Sequence, residues 1–67
     1  MKNADKKYTG EYNYRFVYVT TSGKKYTKTN NYSIPLERAL EELNELRWGA
    51  DEINATIIEV KLIAVSI

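Results

Sequence analysis

The chain reads as an α+β domain, a ββαβ layer pair in which a three-stranded, largely antiparallel sheet carries one helix across one face. Three observations predict it. Tyr12, Tyr14, Phe16 and Tyr18 recur at strict period two ahead of Ser22-Gly23, the spacing of a strand that leads into a turn. Leu36, Ala39, Leu40, Leu43 and Leu46 recur at helical spacing and form one apolar stripe. The chain then closes on a segment rich in isoleucine and valine, residues that favour strands.

Each element follows from local chemistry. Glu11 to Thr21 is β-branched and aromatic and forms the first strand. Gly23 accepts the positive φ of a tight turn, and Lys24 to Tyr32 returns as the second strand. With Ser22 and Gly23 as a two-residue loop, Val19 faces Tyr26, Val17 faces Lys28 and Phe16 faces Thr29. Ser33 is placed to cap the helix, with Pro35 in the first turn, where its missing N–H costs nothing. Gly49 is expected to close the helix. Ala50 to Ile53 connects to a last strand over about Ala55 to Ile67. Residues 1–9 are charged and aperiodic and are expected to be a flexible basic arm, which leaves 10–67 as the single domain.

Sixty-seven residues support one small core. The chain contains neither cysteine nor histidine, so disulfide staples are excluded and no metal site or cofactor is expected. General acid–base and nucleophilic chemistry lack their usual groups. No Walker, Rossmann or G-x-S-x-G pattern occurs either, and no enzyme is expected. The lysines near the N-terminus are not followed by an apolar segment, and no stretch is long enough to span a bilayer. A cytoplasmic protein without a membrane partner is the expectation.

A net charge of +1 hides two opposed fields. Residues 1–33 hold Lys2, Lys6, Lys7, Arg15, Lys24, Lys25 and Lys28 against Asp5 and Glu11, a net +5. Residues 34–53 hold Glu37, Glu41, Glu42, Glu45, Asp51 and Glu52 against Arg38 and Arg47, a net −4. Such fields steer partners more than they set a fold.

Two binding surfaces compete. On the helix, Glu37, Glu41 and Glu45 fall together opposite the leucines. Trp48 joins them if the helix persists to Gly49, and tryptophan is enriched at binding hot spots. With Asp51 and Glu52 these residues form the candidate protein-binding set. The alternatives are a plain solvated face for the glutamates, and an unwound last turn that folds Trp48 over the core. The rival surface is the hairpin, where Arg15, Lys24, Lys25, Tyr26 and Lys28 could hold single-stranded nucleic acid by phosphate contact and base stacking. There the bland reading is that the aromatic row is one side of the core.

The last strand is apolar on both faces. Ile58, Val60, Leu62 and Ala64 are expected toward the helix, and Ile57, Ile63, Val65 and Ile67 away from it. A single helix leaves the second set uncovered. Either the strand pairs with another copy in a homodimer, or a bulge re-aims one end.

In element order and in a few short segments the chain resembles the small uracil-DNA glycosylase inhibitor family of protein-primed Bacillus phages. The likeness lies in Gly23-Lys24-Lys25-Tyr26 at the hairpin, Ser33 at the helix entry, Trp48-Gly49 at its exit and Ala50-Asp51-Glu52-Ile53 before the last strand. It touches roughly residues 12 to 62. The resemblance implies a dimer that occupies the enzyme's DNA-binding cleft, with carboxylates as phosphate mimics and a hydrophobic pocket for a protruding side chain. It places Trp48 at an aromatic helix-end position and Asp51 and Glu52 at an acidic pair. The basic arm, the longer helix and the absence of overall negative charge depart from the family, so only the helical field could act as the mimic.

Overall fold

The computed structural model describes residues 8–66. β1 (Tyr8–Val19), β2 (Lys25–Thr29), β3 (Ile34–Pro35), α1 (Leu36–Glu52) and β4 (Thr56–Ser66) follow one another. This is the expected α+β arrangement with one added feature, the two-residue β3. β1 is the central strand. β4 pairs antiparallel along one edge of it. β2 and β3 share the other edge, β2 beside residues 15–19 and β3 beside Glu11 and Tyr12.

Between β2 and β3 the ladder is replaced by a side chain. Asn30 accepts the Tyr14 N–H at 3.0 Å through Oδ1, and its Nδ2 donates to the Tyr12 carbonyl at 3.1 Å and the Tyr32 carbonyl at 2.6 Å. One amide thereby serves three main-chain groups along this edge.

The hairpin register differs from expectation by one residue. Val19 faces Lys25, Val17 faces Thr27, Phe16 faces Lys28 and Tyr18 faces Tyr26. The loop holds three residues rather than two. Thr20 N–H donates to Lys24 O, Gly23 N–H donates to Thr20 O, and Gly23 has φ +89°. That is a type I turn closed by a left-handed glycine. Because side chains alternate, the slip sends Tyr26 and Lys28 to the helix side and Lys25 to the open side.

The helix ends also differ. Pro35 occupies the N-cap with extended ψ and no side-chain cap, while the Ser33 hydroxyl donates to Glu11 Oε1 at 2.6 Å. Gly49 lies inside the helix, which continues to Glu52. The stop is Asn54, at φ +59°. Ala55 N–H reaches Ala50 O at 2.8 Å and Asn54 N–H reaches Asp51 O at 3.0 Å, the paired bonds of a Schellman motif.

The core lies between β1 and α1. Tyr14, Phe16, Ala39, Leu43 and Ala50 are buried, with Tyr12, Tyr18, Ile34, Leu46, Ala55 and Leu62 packed around them. Phe16 is wholly enclosed, at 0% exposure. On the opposite, helix-free face Val17 is the one buried residue among those described. The aromatic row is therefore core on the helix side. Leu36 and Leu40 remain exposed, because the helix sits over β1 more than over β4.

β4 contains a bulge. Val17 faces Glu59 and Tyr18 faces Ile57, leaving Ile58 between them as the extra residue. Paired residues share a face, so Ile57 lies on the helix side rather than away from it, correcting the expectation. Ile63, opposite Asn13, does lie on the helix-free face, and alternation places Val65 there as well. Ile67 lies outside the described residues. So do residues 1–7 of the expected arm, whereas Tyr8 and Thr9 belong to β1.

Candidate functional site on the exposed helix face

At about 100° per residue, Glu37, Glu41, Glu45, Trp48 and Glu52 fall within about 80° of helix circumference. All five are exposed. The arc exists because the helix runs three residues past Gly49, which keeps Trp48 in register with the glutamates. Trp48 stands 70% exposed near the middle of the stripe. It does not fold over the core, where Ala50 takes the buried position. Among the described residues, no side chain pairs with Glu37, Glu41, Glu45, Asp51 or Glu52. Glu42 is separate, since it accepts the Tyr14 hydroxyl at 2.7 Å and pairs with Arg38 at 3.2 Å.

Beside Trp48 the surface opens into a cleft of about 450 Å³ lined by Asn44, Arg47, Trp48, Asp51, Ala55 and Ile57. The bulge contributes to it by turning Ile57 toward the helix. An indole and an isoleucine supply apolar wall, while Arg47, Asp51 and Asn44 supply polar groups at the rim. Such a cleft can seat one apolar side chain and bind polar atoms around it. Nothing in the sequence alone marks Asn44 and Arg47. The i, i+4, i+7 spacing of Asn44, Trp48 and Asp51 marks them only once the helix is known to pass Gly49.

The hairpin residues do not come together. Arg15 and Lys25 lie on the helix-free face, Tyr26 and Lys28 on the helix side, and Lys24 in the turn. Tyr18 and Tyr26 stack on each other with centroids 5.4 Å apart, so a ring needed for bases is already occupied. The helix-free face displays Arg15 directly opposite Lys61, with threonines from β2 and, among the described side chains, no aromatic ring.

A second cleft, about 320 Å³, runs between β2 and α1 past Tyr14, Lys28, Asn30, Tyr32, Arg38 and Glu42. Burial first, then the Glu42 carboxylate that accepts its proton, pushes the Tyr14 phenol up to about 12. Tyr14 is therefore neutral at physiological pH, with a structural role.

Among the described residues no group of acidic, histidine or cysteine side chains could hold a metal, and no helix is long and apolar enough to cross a membrane. Comparison with protein-family models, curated proteins and solved structures gives no match.

Proposed function

We propose that this chain is a small non-enzymatic inhibitor or adaptor that acts in the cytoplasm by binding another protein. The surface is the acidic helix face, Glu37, Glu41, Glu45 and Glu52, with Trp48, Asp51 and the adjoining cleft as its anchor. The observation that carries the reading is Trp48, a large apolar side chain held 70% exposed among unpaired carboxylates. Leaving an indole in water forgoes the stabilisation that burial gives, and interface hot spots are where such side chains recur.

The most concrete form is inhibition of a DNA-processing enzyme such as uracil-DNA glycosylase. The glutamate stripe would occupy the positions of phosphates in a basic DNA-binding groove, and the cleft would receive an apolar side chain of the enzyme. The resemblance in segment order and the carboxylate arc both support this form.

The test is a titration of a bacterial uracil-DNA glycosylase with the chain, using a uracil-containing oligonucleotide as substrate. Near-stoichiometric inhibition is expected, lost with Trp48→Ala and with Glu41→Lys combined with Glu45→Lys. Full enzyme activity at a large excess of the chain would remove this form of the proposal.

A further inference from the structure

The cleft of about 320 Å³ between β2 and α1 is polar almost throughout. Nine residues line it, and Ile34 alone among them has a side chain without a polar atom. Its volume lies at the small end of ligand pockets, about 300–1,000 Å³, which suits one ring bearing one charged group. An apolar guest gains little here, because it would leave hydrogen-bonding groups unpaired.

Two cations reach the cleft from different elements, Lys28 from β2 and Arg38 from α1. The one carboxylate that lines it, Glu42, is already engaged. Its Oε1 accepts the Tyr14 hydroxyl at 2.7 Å and its Oε2 accepts Arg38 Nε at 3.2 Å. That contact orients the guanidinium through Nε and leaves its two Nη groups for another acceptor. Among the described residues, the side chains of Lys28 and Asn31 make no hydrogen bond or ion pair. Two cations against one carboxylate, with several donors unmet, favour an anion.

The remaining wall suits hydroxyl groups. Asn30 Nδ2 donates to the Tyr32 carbonyl at 2.6 Å, which fixes the chain that carries the Tyr32 ring. That side chain is 83% exposed and offers an apolar face with a polar tip. A sugar hydroxyl donates and accepts at once, and the Asn31 amide and the Tyr32 hydroxyl can each do both.

We propose that this cleft binds a phosphate monoester of a small sugar. The phosphate is held by Lys28, Arg38 and Asn31, and the sugar ring lies on Tyr32. A phosphate monoester carries close to two negative charges and three acceptor oxygens, which matches an ammonium, a guanidinium fork and an amide better than a carboxylate does. None of Glu37, Glu41, Trp48 or Asp51 lines this cleft, so the inference stands or falls apart from the helix reading.

Its test is a nuclear magnetic resonance titration of the isotope-labelled full chain with ribose 5-phosphate up to about 10 mM, beside ribose, inorganic phosphate and adenosine monophosphate. Saturable shifts centred on Lys28, Asn31, Tyr32 and Arg38 are expected, with ribose 5-phosphate at least about tenfold tighter than inorganic phosphate and ribose alone inert. Lys28→Gln and Arg38→Gln are each expected to raise the Kd about tenfold, the loss of one charge-assisted contact. Tyr32→Ala is expected to weaken ribose 5-phosphate about threefold and to leave inorganic phosphate unchanged. Lys24→Gln, in the turn outside the cleft, is expected to change neither. All four positions are exposed, so the variants should fold, and the amide spectrum of each shows it. No saturable shift, ribose 5-phosphate no tighter than inorganic phosphate, or equal losses with Lys24→Gln and Lys28→Gln would overturn the proposal. So would adenosine monophosphate binding more than about tenfold tighter than ribose 5-phosphate, because the base would then be the recognised group.

Discussion

The helix face and the hairpin both looked like binding surfaces, and folding treats them in opposite ways. The helix gathers Glu37, Glu41, Glu45, Trp48 and Glu52 on one exposed arc. The hairpin divides Arg15 and Lys25 from Tyr26 and Lys28 across two faces, and it places Tyr14 and Phe16 in the core. Charge count along the chain cannot distinguish them, because the two fields are similar in size. The difference lies in geometry. A helix of period 3.6 brings residues three and four apart together, whereas a strand of period two sends neighbours to opposite faces.

Substitutions at the centre of each region should sharpen the contrast. Phe16→Ala should have the largest effect, a loss of about 3–5 kcal/mol, since Phe16 is fully enclosed in a domain with little stability to spare. Urea denaturation followed by circular dichroism measures it. A loss below about 1 kcal/mol would mean that the aromatic row is not core, and the hairpin would again be available for nucleic acid.

Next in size is Asn30→Ala. It removes hydrogen bonds to the main chain of Tyr12, Tyr14 and Tyr32, partly buried or exposed bonds that contribute about 0.5–1.5 kcal/mol each. Amide hydrogen exchange should show faster opening of Tyr14 in that variant, with the centre of the helix changed less.

Tyr14 gives a pH signature to the hairpin side. Its phenol is pushed up to about 12 in the folded chain, against about 10 when unfolded. A raised folded-state value means that the folded state holds the proton more tightly. The resulting stability is fully present below about pH 10 and is lost as pH rises through about 12. Phenolate absorbance should show one tyrosine titrating late. Tyr14→Phe should remove both that late step and its share of the alkaline unfolding. A tyrosine titration complete by about pH 11 would contradict the burial of Tyr14 and its contact with Glu42.

The smallest stability effect belongs to the helix face. Trp48→Ala should change unfolding free energy by no more than about 0.5 kcal/mol, as exposed substitutions do. The lone tryptophan should also emit as a water-exposed indole. A large loss of stability or a blue-shifted emission would place Trp48 in the core.

The class of fold was legible because its periodicities are long and clean: four aromatics at period two and five apolar residues at helical spacing. The termini of the elements were not. Gly49 carried the usual mark of a helix stop, but a glycine can remain helical where the residues after it hold the turn. Asn54 holds it here, with Ala50 buried between them. Ser33 looked like a cap, but its hydroxyl is engaged by Glu11 of a distant strand, a tertiary contact that local spacing does not record. The hairpin register turned on whether two or three residues form the loop. Ser22-Gly23 suits both, and the stacking of Tyr18 on Tyr26 goes with the longer one. The glutamates and Trp48 were legible as a set, conditional on helix length. The cleft was not, because Ile57 reaches it only through the bulge.

Capture from a bacterial lysate with three baits, compared by quantitative mass spectrometry, shows whether this chain binds a protein through its helix. The baits are the wild type, Trp48→Ala, and the combined Lys24→Ala, Lys25→Ala and Lys28→Ala chain. The expected result is a protein retained equally by the wild type and the lysine variant, insensitive to nuclease, and reduced at least about tenfold with Trp48→Ala, the loss typical of a hot-spot residue. Retention that survives Trp48→Ala but disappears with the lysines or on nuclease treatment would rule out the helix face and assign binding to the hairpin.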